Sequence, residues 1–160
     1  MEIRPVRREE AAGLRELRLR ALRDAPHAYF ASLESEERLP LSYWEGWATS
    51  KDKVMLVAVE DGTWLGMAGA SVHPDRSGTV RLWWLWVAPG ARGRGLARRL
   101  LEARADWARE LGAVRLELAV AENNEAAKAL YRGLGFVPTG ERRSMASDPT
   151  RAGIFMARPL

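Results

Sequence analysis

The chain has 160 residues, 47% of them hydrophobic and 29% charged, which makes it one domain by size with material for a real core. It has no cysteine, so disulfide frameworks, thiolate nucleophiles and zinc–thiolate sites are excluded, and no apolar run approaches the ~18 residues of a membrane span. The formal charge of +4 is carried almost wholly by arginine and suits an anionic ligand; nucleic acid is the competing partner, but the arginines are spread among glutamates and form no single stripe.

Met1-Glu2-Ile3-Arg4 has no signal-type apolar segment, and the expected location is the cytoplasm. Residues 2–6 read as a short strand. Residues 8–24 follow as an amphipathic helix with Leu14, Leu17, Ala21 and Leu22 on its buried face, ended by Pro26. Residues 25–33 are a loop holding His27, Tyr29 and Phe30. A short acidic helix over 32–39, capped by Ser32 or Ser35, presents Glu34, Glu36 and Glu37 either to solvent or to a cationic amine. Another turn or two over 42–49 carries Tyr43, Trp44 and Trp47. Next comes a meander: a strand over 53–60, an Asp61-Gly62 hairpin turn, a return strand over 64–72, a turn over 74–78 and a third strand over 79–87. His73, at a hairpin end beside Pro74, fits a structural role better than that of a base.

The third strand closes with Leu82-Trp83-Trp84-Leu85-Trp86-Val87 and runs into Ala88-Pro89-Gly90-Ala91-Arg92-Gly93-Arg94-Gly95-Leu96-Ala97. A helix over 94–110 follows, with Leu96, Leu100, Trp107 and Leu111 on one stripe and Gly112 as its stop. Residues 114–120 form a strand, Asn123 or Asn124 caps a helix running to Leu134, and Gly135 ends it. Two last strands, over 136–142 and 153–158, flank a loop over 144–151. The helix between Val87 and Val114 makes that strand pair a parallel β-α-β crossover inside an otherwise antiparallel sheet. The fold class is therefore α/β (α+β) with a mixed sheet, in one domain over residues 1–160.

Strand, glycine-punctuated loop and helix start together make an anion site. Gly93 and Gly95 remove side chains that would keep a ligand from the backbone, the helix N-terminus offers free N–H groups, and Arg92 and Arg94 add charge. The stretch lacks G-x-x-x-x-G-K-[ST] and, with Arg98 where a third glycine is needed, also lacks G-x-G-x-x-G. What stands is Arg92-x-x-Gly95-x-Ala97. It resembles the acetyl-CoA pyrophosphate loop of the GNAT superfamily of N-acetyltransferases, [Q/R]-x-x-G-x-[G/A]. A second block, N-x-x-A-x-x-L-Y-x-x-x-G-F, is matched at Asn124, Ala127, Leu130, Tyr131, Gly135 and Phe136. The resemblance covers residues 54–137 well, and the N-terminal third only in element order.

That resemblance implies a GNAT-type fold whose two parallel strands splay apart to take the pantetheine arm, with a bulge in the first of them. It implies acetyl-CoA as cosubstrate, bound by Leu85, Trp86, Val87, Arg92, Gly93, Arg94, Gly95, Leu96, Ala97, Asn124, Ala127 and Tyr131. A backbone N–H near Leu85 and Trp86 would polarise the thioester carbonyl. Tyr131 is implied as the general acid for the departing thiolate, since a phenol at ~10 can protonate a thiolate at ~8.5; the alternative is a core tyrosine packed on Leu130 and Phe136. Asn124 is a helix cap, a pantetheine contact or both. Many relatives carry a glutamate base where this chain has Arg81, which cannot serve; Glu117 on the neighbouring strand is the substitute, or else an ion-pair partner. No His/Asp/Glu cluster has metal-ligand spacing, so no metal is implied. The expected reaction is acetyl transfer to a primary amine of an acceptor, small molecule or protein, with no membrane partner and a homodimer left open. A non-catalytic acyl-CoA-binding or sensing domain is the rival.

Overall fold

Strict alternation through residues 54–58 sends Val54, Leu56 and Ala58 to one face of a sheet and Met55 and Val57 to the other, and helices cover both faces. A computed structural model describes every residue except His27, Tyr29, Ala146 and Ser147, so the expectations for His27 and Tyr29 lie outside the described residues. In chain order the elements are β1 (Glu2–Pro5), α1 (Ala11–Asp24), α2 (Leu33–Glu37), α3 (Leu41–Thr49), β2 (Lys53–Glu60), β3 (Thr63–Val72), β4 (Thr79–Val87), α4 (Leu96–Glu110), β5 (Arg115–Ala121), α5 (Glu125–Gly133), β6 (Val137–Met145) and β7 (Asp148–Pro159). The sheet has seven strands in the order β1-β2-β3-β4-β5-β7-β6. Every neighbouring pair is antiparallel except β4 with β5, which α4 joins as a parallel crossover.

On one face α4 packs Leu96, Leu100, Leu101, Ala105 and Ala108 against Leu56, Ala68, Leu82, Leu116 and Leu118. On the other, Leu14, Leu17 and Leu22 of α1 and Trp44 and Trp47 of α3 meet Met55, Val57, Met67 and Trp86. Each such side chain taken fully from water contributes about 1.5–3 kcal/mol.

Three boundaries depart from expectation. Arg8–Glu10 is a separate 3-10 turn before α1, closed by the Glu10 carboxylate, which accepts from the Arg7 N–H at 2.9 Å and from Arg4 at 2.8 Å. Helix α4 starts at Leu96 and not at 94, because Gly95 sits left-handed at φ +74°. The expected loop over 144–151 is mostly strand: β6 runs to Met145, β7 begins at Asp148, and Arg143 and Ser144 pair with Gly153 and Ala152. As an edge strand with mostly exposed side chains, β6 shows no hydrophobic alternation to betray it.

The course of β4 opens the sheet on one side and kinks it on the other. It pairs with β5 only where Thr79, Val80 and Arg81 meet Arg115, Leu116 and Glu117; beyond that point β4 keeps to β3 and β5 keeps to β7. Within the β3–β4 pair, Met67 faces Trp86 and Gly69 faces Trp83, so Trp84 and Leu85 together stand opposite Ala68. This is the bulge, and Trp84 occupies it at φ +53°. A left-handed tryptophan costs about 1–2 kcal/mol of backbone energy. Its packing offsets this: the ring lies 5.0 Å from Trp47 and 5.8 Å from Trp44, with the Arg18 guanidinium 4.2 Å from its face.

Candidate active site

The parting of β4 from β5 opens a cavity of about 480 Å³ that passes through the plane of the sheet. Its α4 side is walled by Leu82, Leu118 and Val120, by Asn124 at the start of α5 and by Ala127 and Tyr131 of that helix. The bulge residues Trp83, Trp84 and Leu85 form one edge. Its other side, toward α1–α3, holds Arg81, Glu117, Phe155 and Arg143 from four successive strands, closed over by Phe30, Glu36, Tyr43 and Trp47.

Asn124 caps α5 by accepting the Ala127 N–H at 3.1 Å, which fixes where that helix begins. Seven residues on, Tyr131 stands half-buried and edge-on to Phe136 at 5.8 Å. Burial raises its phenol above the ordinary 10, and the charge of Arg104 pulls it back toward that value. Arg104 itself is 1% exposed, on the apolar stripe of α4. Its Nε donates to Leu100 O, and its Nη1 donates to Gly69 O and Trp83 O at 3.2 Å each, the two carbonyls beside the bulge. Its Nη2 has no hydrogen-bond partner among the described residues. Burial lowers its pKa to about 10, which leaves it charged at neutral pH.

Past the end of β4, the loop over 88–95 reaches the open N-terminus of α4. Gly93 and Gly95 both have left-handed backbones, and a Cβ built on either meets nothing within 4 Å, so the loop's N–H groups and the helix start are open on that side. Arg92 donates to Val87 O and pairs with Asp24 at 2.5 Å; Arg94 pairs with Glu60 at 2.7 Å. The Trp86 indole N–H and Arg92 hold Asp24 below the usual carboxylate range.

A profile of the acetyltransferase (GNAT) family matches residues 16–136. The chain belongs to the GNAT acetyltransferase family. Among curated relatives, the uncharacterized N-acetyltransferase YdgE of Bacillus subtilis is 38% identical over 79 residues, 49% of this chain and 49% of that protein. The chain thus spans about half the length of that relative. Of solved structures, a GNAT-family acetyltransferase from Streptococcus pneumoniae superposes with a TM-score of 0.78 at 25% identity, covering 99% of this chain and 98% of the other. YncA of Salmonella typhimurium, solved with its cofactor acetyl-CoA, superposes at 0.76 with 24% identity, covering 100% and 94%; at that identity the likeness is one of fold.

Of the residues the GNAT resemblance singled out, the cavity brings together Leu85, Glu117, Asn124, Ala127 and Tyr131. The loop residues Arg92, Gly93, Arg94, Gly95 and Ala97 lie apart from it at the α4 N-terminus. Leu96 is buried in the α4 core, so only its backbone faces that end, and the Trp86 side chain is buried on the α1–α3 face with its indole N–H on Asp24. Glu117 is fully buried, with its oxygens 2.9 Å from Arg76 Nη1 and 3.2 Å from Arg81 Nε, Arg115 at 3.8 Å and His73 Nε2 at 4.0 Å. His73 is structural: its Nδ1 accepts the Asp75 and Arg76 N–H groups and closes the β3–β4 turn. Glu36 does not lie on a solvated face; it is 4% exposed and paired with Arg18 at 2.7 Å. Arg104 was not singled out, although its place four residues after Leu100 and four before Ala108 puts it on the buried stripe. Arg143 fell at the margin between an expected strand and an expected loop. Among the described residues no group of three or more His, Asp or Glu could hold a metal ion, and no helix is long and apolar enough to cross a membrane.

Proposed function

We propose that the chain transfers the acetyl group of acetyl-CoA to a primary amine by direct attack. The observation that carries this reading is the cavity through the parted β4 and β5, with Tyr131 on one side of the sheet and a polar half on the other. The pyrophosphate would sit on the N–H groups of residues 93–97, with Arg92 and Arg94 turning from Asp24 and Glu60 to phosphate oxygens. The pantetheine would run down the gap between the strands, past Leu85, Asn124 and Ala127.

The amine nitrogen attacks the thioester carbonyl carbon, and a backbone N–H at Leu85 or Trp86 takes up the charge that develops on the oxygen. The C–S bond then breaks, and the thiolate takes the Tyr131 proton. Arg104 bears on that last step. Its buried charge favours the phenolate left on Tyr131, and its grip on the Trp83 carbonyl keeps the bulge in place. Glu117 is placed to take the proton released by the amine through a water. Because both its oxygens already accept from guanidinium groups, an amine that arrives neutral competes with it for that part.

The second reading, a protein that binds acyl-CoA without turning it over, is favoured by Arg81 at the position where relatives carry a base. Calorimetry with acetyl-CoA, followed by free-thiol release with a panel of amines, separates the two. Binding with amine-dependent release is the expected result, and binding with no release from any amine selects the second reading. A cytoplasmic location accords with this function and rests on the sequence alone.

A further inference from the structure

The half of the cavity facing α1–α3 carries more positive charge than its own carboxylates answer. Arg81 spends its Nε on Glu117 and rests 5.8 Å from the Phe155 ring centroid. Glu117 is shared with Arg76, which also binds Glu141, and with Arg115, so its single charge already answers three guanidinium groups. Glu36 is locked to Arg18, and Glu122 to Arg142 at 2.6 Å. Arg143, paired through its backbone with Gly153, has no carboxylate partner among the described residues. Its guanidinium lies over the Phe30 ring, 4.3 Å from the ring centroid. Arg143 and Arg81 line the same half of the cavity, and burial first and then the like charge of Arg81 lower the Arg143 pKa.

Two guanidinium groups lining one partly desolvated cavity repel each other in the chain alone, and an anion in that cavity lowers the cost. Each lies over a phenylalanine ring, Arg143 at 4.3 Å and Arg81 at 5.8 Å, and among the described residues the Nη groups of neither donate to a carboxylate. A guanidinium with its Nη groups so placed can take a planar carboxylate bidentately. The pyrophosphate loop at the α4 N-terminus lies apart from the cavity, so coenzyme A phosphates do not account for this charge. The space is also roofed: the Phe30 ring lies where a Cβ on Gly153 would be, 2.3 Å away, closing the loop down onto β7. A cavity of about 480 Å³ shared with the thioester end of the cosubstrate suits a small molecule.

We propose that the acceptor is a small amine carrying a carboxylate, an amino-acid-like molecule whose carboxylate is held between Arg143 and Arg81. This rests on the reading of the cavity as an acetyl-transfer site, with the amine directed toward the bulge of β4 while the carboxylate stays at the arginines. It also gives Arg81 a purpose: the position that holds a base in relatives here holds the acceptor.

The test uses matched pairs that differ only in the carboxylate: lysine and cadaverine, ornithine and putrescine, phenylalanine and phenethylamine. Two readouts are taken, kcat/KM for acetyl-CoA-dependent thiol release and calorimetric affinity for protein saturated with coenzyme A. The expected result is that at least one acid exceeds its decarboxylated partner by about tenfold or more, the scale of a charge-assisted pair. In Arg143→Gln that preference falls to within about threefold, while acetyl-CoA affinity is unchanged, and Arg143→Lys recovers part of it. Decarboxylated amines that equal or exceed their acids in both readouts overturn the proposal, as does an Arg143→Gln variant that keeps the preference. Absence of thiol release from every amine defeats the acetyl-transfer reading instead, and the binding comparison then still decides whether the carboxylate site exists.

Discussion

A guanidinium buried in an apolar helix face, with no carboxylate beside it, is costly unless the site uses its charge. Arg104 is in that position, and the titratable group it acts on is Tyr131. Of the other charged groups on the elements around Tyr131, Lys128 pairs with Glu125, Glu102 with Arg158, and Glu117 with Arg76 and Arg81 across the sheet. Removing the positive charge leaves burial alone acting on the phenol, which raises its pKa further. Arg104→Met should therefore lower turnover by about tenfold and move the high-pH limb of the rate profile upward, while Arg104→Lys restores part of both. In a Tyr131→Phe background, Arg104→Met should cause a smaller loss of turnover, the part that comes from its hold on the Trp83 carbonyl. A merely structural arginine would lower turnover equally in both backgrounds and leave the limb where it was. Nothing in the composition marks Arg104 as different from the exposed arginines of the same helix; only its register does.

At the scale of the element, the loop and first turn of α4 were legible because their requirement is stereochemical. Gly93 and Gly95 are needed left-handed, and glycine is the residue that adopts this without cost. Gly95→Val should weaken coenzyme A binding tenfold or more, by placing a β-branched side chain over the helix N-terminus and straining the turn. Far-UV circular dichroism should remain that of the wild type, since a Cβ there meets no other part of the chain. Wild-type affinity in that variant would remove the loop from the cofactor site. The β4 bulge was less legible: with Trp83, Trp84, Leu85 and Trp86 all apolar, alternation cannot reveal the residue that breaks it. The extension of β6 was hidden for the opposite reason, a run of exposed polar side chains. The turn before α1 allows a pH test. Arg4 first, and then the Arg7 N–H, hold Glu10 at about 2 against an ordinary 4.5. A folded pKa below the unfolded one stabilises the fold above pH 4.5, and this stability is lost as pH falls through about 2. Glu10→Gln should thus lower the unfolding free energy at pH 7, by at most about 3 kcal/mol and by less where water screens the pair, with the difference from wild type vanishing near pH 2. A difference that persists unchanged at pH 2 would contradict the assignment.

For the whole molecule, element order and the crossover were readable because each strand on a buried face advertises its period and each helix its stop. The parting of β4 from β5 after three residue pairs was expected only from the GNAT resemblance, and nothing in the sequence indicated that Arg81, Glu117, Phe155 and Arg143 converge from four strands onto one side of the gap. Convergence of distant positions leaves no local pattern. The same parting of strands is what makes the central claim testable, because it sets Tyr131 in the wall of the cavity proposed to hold cosubstrate and acceptor. The most direct measurement is acetyl-CoA-dependent thiol release by Tyr131→Phe, alongside its acetyl-CoA affinity. The substitution keeps the ring on Phe136 and deletes only the O–H. Turnover should fall by about 10²–10⁴-fold and the high-pH limb should disappear, while affinity changes by no more than the ~0.5–1.5 kcal/mol of one hydrogen bond. Unchanged turnover with an unchanged pH profile would contradict the account and leave Tyr131 a packing residue.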